Sequence, residues 1–223
     1  MKNNKILSID VDYCRDSQDL LKIYNLFCSN LYKLSEDKVM CADYHIDILE
    51  LIKNIKGPLE VFNIDDHHDI YYDEHQIPVL RNSIADSSDW VAWLFIHRQV
   101  ENYTWIGREL SEQFSQGMLE KIEEMYDKGP NYDVIDSRNI LFNSKQALTE
   151  KMSDEFLKFK PRLTHDVYIQ DYLYDIEFDY LFLCKSPDYT VKENYFMFDL
   201  LKLAKTTFFK NRNNEKKISE KND

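Results

Sequence analysis

Two short apolar runs in this chain each end in an alternating set of acidic residues. The first is Lys5-Ile6-Leu7-Ser8-Ile9-Asp10-Val11-Asp12. The second is Leu59-Glu60-Val61-Phe62-Asn63-Ile64, followed by Asp65-Asp66-His67-His68-Asp69. A short apolar run bounded by polar residues reads as a buried strand. Residues i and i+2 of a strand share a side, so the spacing groups Asp10 with Asp12, and Asp65 with His67 and Asp69. Carboxylates held side by side repel unless a cation or bases compensate. Ligands of open α/β sheets bind at the carboxyl ends of the strands. The chain must therefore place both acidic ends where a compensating charge can reach them.

The remaining pattern supplies the frame. Helices are expected at Gln18 to Leu34, with Asp16 or Ser17 as N-cap, and at Ile46 to Ile55, which stops at Gly57-Pro58. Asp89 to Val100 reads as a helix and Tyr103 to Ile106 as a short strand, with another short strand at Lys38 to Ala42. Leu110 to Tyr126 and Ser144 to Phe159 read as helices, with a strand within Val134 to Phe142. Val167 to Leu173 and Asp179 to Cys184 read as strands, and Asn194 to Phe209 as a helix. Strands alternating with helices imply a three-layer α/β/α fold around a mainly parallel sheet. A single domain is expected over residues 1–209, with a disordered charged tail over 210–223.

Composition narrows the function. The four glycines, Gly57, Gly107, Gly117 and Gly129, are too scattered for a phosphate-binding loop. A net charge of −12 disfavours nucleic acid as a partner, because phosphate neutralisation needs clustered Lys and Arg. The cysteines, Cys14, Cys28, Cys41 and Cys184, form no C-x-x-C pair and suit reduced thiols. No apolar run approaches the ~20 residues of a membrane helix, and the N-terminus does not read as a signal peptide. A cytoplasmic protein acting on a small molecule is expected, with no membrane partner and with oligomerisation left open.

An oxygen-rich donor set with few imidazoles suits Mn²⁺ or Mg²⁺ better than a thiolate-type zinc site. So many carboxylates can hold two ions. Alternatives remain at this level. A D-x-D at a strand end also begins phosphatases of the haloacid dehalogenase type, with Asp10 as nucleophile and Asp12 as acid/base. The acidic residues could equally cap a helix and line a solvated loop.

Asp65-Asp66-His67-His68-Asp69 resembles the D-A-H-x-D ligand motif of the arginase/agmatinase (ureohydrolase)/deacetylase superfamily. Ser8-Ile9-Asp10-Val11-Asp12 resembles that family's S-x-D-x-D motif. The family's further ligand histidine lies about twenty residues before D-A-H-x-D, where this chain has Asp43-Tyr44-His45. The resemblance implies a metal ligand set of Asp10, Asp12, His45, Asp65, His67 and Asp69. It implies Mn²⁺ as cofactor, with Zn²⁺ or Fe²⁺ as alternatives. It also implies hydrolysis of a C–N bond (amide, amidine or guanidine-like) by a metal-activated hydroxide.

The motif order is permuted, because the family's S-x-D-x-D follows D-A-H-x-D. The chain is more similar to an uncharacterised arginase-like branch. Asp89-Trp90-Val91-Ala92-Trp93, Thr104-Trp105-Ile106 and the Ser186-Pro187-Asp188-Tyr189-Thr190 turn resemble segments of that branch. His75-Gln76-Ile77-Pro78-Val79 resembles the segment that carries the family's proton-shuttle histidine, which makes His75 the candidate catalytic acid. The guanidinium-binding glutamate of arginases has no counterpart in Leu183-Cys184-Lys185-Ser186-Pro187, so arginine-like substrates are disfavoured. Lys185 could instead meet an anionic substrate group. A descendant that keeps the fold only to bind a partner is the remaining alternative. His68, of opposite parity to His67, is expected to turn away from the ligands, and the three tryptophans are expected in the core.

Overall fold

A computed structural model describes residues 3–70, 85, 87–96, 100–108, 162–166 and 168–219. Six strands form one sheet: β1 (Asn4–Asp10), β2 (Val39–Ala42), β3 (Leu59–Ile64), β4 (Val100–Ile106), β5 (Arg162–Asp166) and β6 (Tyr180–Cys184). Their spatial order is β2-β6-β1-β3-β4-β5, and every pairing is parallel. The carboxyl ends of all six strands therefore share one edge. Four helices are described: α1 (Ser17–Leu31), α2 (Ile48–Ile52), α3 (Trp90–Ile96) and α4 (Tyr195–Ser219).

The helices divide between the two faces. On one face α2 and α3 cover Ile6, Val61, Tyr103, Trp105 and Phe182. On the other, α1 and α4 cover Leu7, Ile9, Phe62, Ile64, Leu181 and Leu183. This split follows from handedness. The β1-to-β2 connection runs one way along the sheet, while the β2-to-β3 and β3-to-β4 connections run the other way. Right-handed crossovers in opposite directions put their helices on opposite faces. The chain reverses direction between β1 and β3, so the carboxyl ends of these two neighbours form a topological switch point. Asp10 ends β1 and Asp65 follows β3 at that crevice.

Local chemistry sets the element ends. The Asp16 side chain caps α1 by accepting from the Gln18 and Asp19 amides. Gly57 adopts φ +99 in the turn that precedes β3, a conformation that favours glycine.

Three expectations are corrected. The strand expected at Val167 to Leu173 lies earlier, at Arg162–Asp166, and Asp171–Asp175 is a 3₁₀ turn that buries Leu173. Val100 opens β4 rather than closing a helix. The expected disordered tail is helical as far as Ser219. Phe208 packs edge-on against Tyr32 and the Arg212 guanidinium donates to the Leu34 carbonyl, which ties the helix to the end of α1. The Lys, Arg, Asn and Glu residues that follow contain no glycine or proline to stop it. The elements expected within residues 110–159 lie outside the described residues. Among the described residues, no helix is long and apolar enough to cross a membrane.

Phe27 lies fully buried between α1 and the sheet. Phe27→Ala should cost about 3–5 kcal/mol, as a cavity that the layer cannot close. Urea denaturation checks this; a loss below ~1 kcal/mol would mean that α1 does not seal this face.

Candidate metal centre

Asp10, Asp12, His45, Asp65, His67 and Asp69 come together around one cavity of about 250 Å³ at the carboxyl edge of the sheet. His68, Ser87, Ser88, Ser186 and Tyr189 also line it. Four of the six strand ends contribute. Asp10 closes β1, His45 opens the 3₁₀ turn after β2, Asp65 to Asp69 follow β3, and Ser186 and Tyr189 follow β6.

The register explains why Asp10 and Asp65 meet. Ser8 pairs with Asn63 and Ile9 with Ile64, so the next residues along the two strands are neighbours. Both project on the α2/α3 face, together with Ser8 and Asn63. This face thus carries a polar column that begins inside the sheet and ends in the cavity.

Strand parity does not place Asp12. The strand stops at Asp10, whose side chain accepts from the Asp12 amide and starts a 3₁₀ turn over Val11–Tyr13. A carboxylate that captures the amide two residues on competes with strand continuation. Asp12 nevertheless reaches the site, because its other contacts turn it inward: Oδ1 accepts from the Asp66 amide and Oδ2 lies 3.0 Å from His67 Nδ1. Asp65, His67 and Asp69 likewise sit on a loop. Asp65 Oδ1 accepts from the His67 amide, and Asp69 takes φ +54. Asp is among the few non-glycine residues that enter this region readily.

His45 is the hub. Its Nδ1 lies 3.2 Å from Asp10 Oδ2, 3.1 Å from Asp65 Oδ2 and 3.1 Å from Asp69 Oδ2. Its Nε2 is 2.8 Å from Ser8 Oγ. The tautomer that frees Nδ1 for a cation carries its hydrogen on Nε2, where Ser8 Oγ accepts it. The ring is held between Trp90 and Phe182. His45 is only 2% exposed, whereas His67 is 43% exposed, so the site has a deep side and an open side.

The carboxylates are braced from behind. The Trp90 indole donates to Asp69 Oδ2 at 2.5 Å, and the Ser186 hydroxyl donates to Asp10 Oδ2. The Trp105 indole donates to the Asp65 carbonyl, and Asn63 Nδ2 to Asp65 Oδ2. The three tryptophans are core residues as expected, yet two of them also hold the site. Ser186 has φ +44, and its amide donates to the Asp43 carbonyl.

The protonation balance follows from crowding. Burial, then the Asp65 charge, raises the Asp10 carboxyl. Burial, then Asp10 and Asp65, raises Asp12 well above the ordinary range. Burial and Asp65 push Asp69 up to about 8. Burial alone would raise Asp65, but hydrogen bonds from His45 and His67 overcome it and hold it low. His67 rises to about 11, chiefly through its bond to Asp12. His45 rises despite burial, because Asp69 and its other carboxylate neighbours favour the imidazolium.

The donor set fits a divalent cation. Three overlapping groups have donor atoms within 4.8 Å of one another: Asp10–His45–Cys184, His45–Asp65–Asp69 and Asp12–Asp65–His67. Asp65 belongs to two of them, with Oδ2 toward His45 and Oδ1 toward His67. The described lining holds four carboxylates and neither Lys nor Arg. The carboxylates are offset in that lining by imidazoles alone, whose protons a bound cation would replace.

Other expectations have mixed outcomes. His68 belongs to none of the three donor groups and packs edge-on against Trp105, in keeping with the expected turn away from the ligands. It lines the cavity, buried, with Nδ1 accepting from the Ile70 amide. The Lys185 ammonium sits 4.3 Å over the Tyr195 ring rather than in the cavity. His75 lies outside the described residues. Ser186, Tyr189 and the bracing indoles carried no signal of their own beyond the serine-proline-tyrosine turn and the tryptophan helix. Comparison of the chain with protein-family models, with curated proteins and with solved structures finds no match in any of the three.

The crowded acids give a pH signature. A carboxyl whose folded pKa is raised contributes stability that is full below its unfolded value. That contribution is lost as pH rises through the folded pKa. For Asp69 the window runs from about 4 to about 8. The metal-free protein should therefore melt at a lower temperature at pH 8.5 than at pH 5.5. Asp69→Asn, which tolerates the positive φ, should flatten that slope. Thermal melts in a chelating buffer check this; equal slopes for both proteins would contradict the repulsion.

Proposed function

We propose that this chain is an arginase-like hydrolase that uses a pair of divalent ions to cleave a C–N bond other than a peptide bond. The observation that carries the reading is the position of Asp65, with one oxygen toward the His45 group and the other toward the His67 group. A shared carboxylate between two donor sets is what a two-ion site requires. The arginase/deacetylase type of three-layer fold, with its motif order permuted, belongs to the same proposal. The parallel sheet and its switch-point site support it.

Asp10, His45, Asp65 and Asp69 would hold the deep ion, and Asp12, Asp65 and His67 the outer one. Mn²⁺ is the ion that this oxygen-rich set favours, with Zn²⁺ or Fe²⁺ as alternatives. Bound there, the pair supplies a water acidic enough to deprotonate near neutral pH and a Lewis acid facing the scissile group.

The chain's own residues do the rest. Ser8 fixes the His45 tautomer, so that Nδ1 faces the carboxylates. Trp90 and Ser186 hold Asp69 and Asp10 against the repulsion of their neighbours. The partly exposed His67 marks the side from which a small substrate enters. His75 is the residue we assign to protonating the departing amine. The phosphatase alternative is less well supported. Asp10 is buried among acids, and no Lys or Arg among the described lining residues could receive a phosphate.

The reading is tested by metal content after dialysis against Mn²⁺, together with ammonia or amine release from a panel of amides and amidines. Wild type should retain about two ions per chain. His67→Ala should retain about one, and Asp65→Asn fewer than one, with hydrolysis lost in both. Full metal content in Asp65→Asn would overturn the shared-carboxylate arrangement.

A further inference from the structure

Tyr189 is a large aromatic side chain, 58% exposed, in the lining of the cavity. Its ring centroid lies 4.8 Å from that of His67, tilted by 55°. Among the described residues its phenol hydroxyl makes no hydrogen bond, so no polar contact there accounts for its placement. It stands beside His67, the more exposed of the two histidine ligands, at the open side of the site.

The backbone beneath Tyr189 is firmly fixed. The Tyr189 and Thr190 amides both donate to the Ser186 carbonyl, at 3.0 and 2.8 Å. The Thr190 hydroxyl donates to the Lys185 carbonyl, and the Tyr195 hydroxyl to the Pro187 carbonyl. The Lys185 and Ser186 amides donate to the Ala42 and Asp43 carbonyls just before His45. The same short turn thus braces Asp10 through Ser186 and presents Tyr189 three residues later. An aromatic ring on a pinned turn is ordered in advance, so contact with it loses little conformational freedom.

A flat partner would gain most from such a wall, because offset stacking adds to the apolar area that it covers. The described lining offers an anionic group no Lys or Arg, and the nearby Lys185 is held over Tyr195. Resting on the metal-dependent reading above, we propose that Tyr189 is the specificity-determining wall of the site. It stacks on an aryl or similarly flat, uncharged group attached to the scissile C–N unit.

The test uses three hydroxamates, which chelate the metal through a common head: acetohydroxamate, benzohydroxamate and cyclohexanecarbohydroxamate. Affinities for the Mn²⁺-loaded full chain are measured by calorimetry. Benzohydroxamate should bind wild type roughly tenfold more tightly than acetohydroxamate, and more tightly than the cyclohexyl probe. Tyr189→Phe should keep that ratio. Tyr189→Ala should reduce it to within about twofold. Taking a ratio cancels any loss of metal or of folding common to the probes. A ratio unchanged in Tyr189→Ala, or a cyclohexyl probe that matches benzohydroxamate, would overturn the stacking role while leaving the metal centre standing. Failure of acetohydroxamate to bind wild type would instead bring down the metal reading, and this inference with it.

Discussion

Four carboxylates that have been taken out of water and pressed against one another are the constraint around which this molecule is arranged. Two like charges at the spacing of the donor atoms repel by on the order of 3–4 kcal/mol at an effective dielectric near 20. A fold that gathers Asp10, Asp12, Asp65 and Asp69 carries that repulsion several times over. His45 answers it from within, with one ring nitrogen near three carboxylates at once. His67 answers it on the open side. The residual imbalance shows as raised carboxyl pKa values and imidazoles that hold their protons. A metal-free chain must therefore keep protons that a cation would displace, and a bound cation stabilises the fold by mass action.

The scaffold meets this constraint by rigidity. Asp10 ends β1, which is paired on both sides, and Asp65 follows the adjacent β3 with its amide bonded to the Ile106 carbonyl, so these two backbones are anchored to the sheet where the chain reverses direction. Behind them, the face covered by α2 and α3 buries Trp90, Trp93, Trp105 and Phe182 completely. Two of those indoles use their single N–H on the site, one on the Asp69 side chain and one on the Asp65 backbone. Core packing and site positioning are thus performed by the same side chains. Removing the Trp90 ring would open a cavity and release the Asp69 carboxylate together.

Much of this arrangement is legible in the residue order. The runs Ile6–Ile9 and Leu59–Ile64 read as strands buried on both faces, and that reading implies a parallel sheet with both acidic ends on one edge. His45 is found only through the resemblance to the arginase-type ligand motif, and it lies at the heart of the cluster. The parts that escape are those decided by distant contacts. The bond from Ser186 to Asp10 joins residues 176 positions apart. Asp12 is aimed by its own turn and by the Asp66 amide rather than by strand alternation. The last turns of α4 look like a solvated tail by composition, yet Arg212 anchors them to the end of α1.

The central claim is that two cations share Asp65. Anomalous diffraction at the manganese edge, from crystals grown with Mn²⁺, measures this directly. The account predicts two peaks flanking the Asp65 carboxylate, one beside Asp10, His45 and Asp69 and the other beside Asp12 and His67. A map with no peak in the cavity, or with one peak that does not touch Asp65, would contradict it.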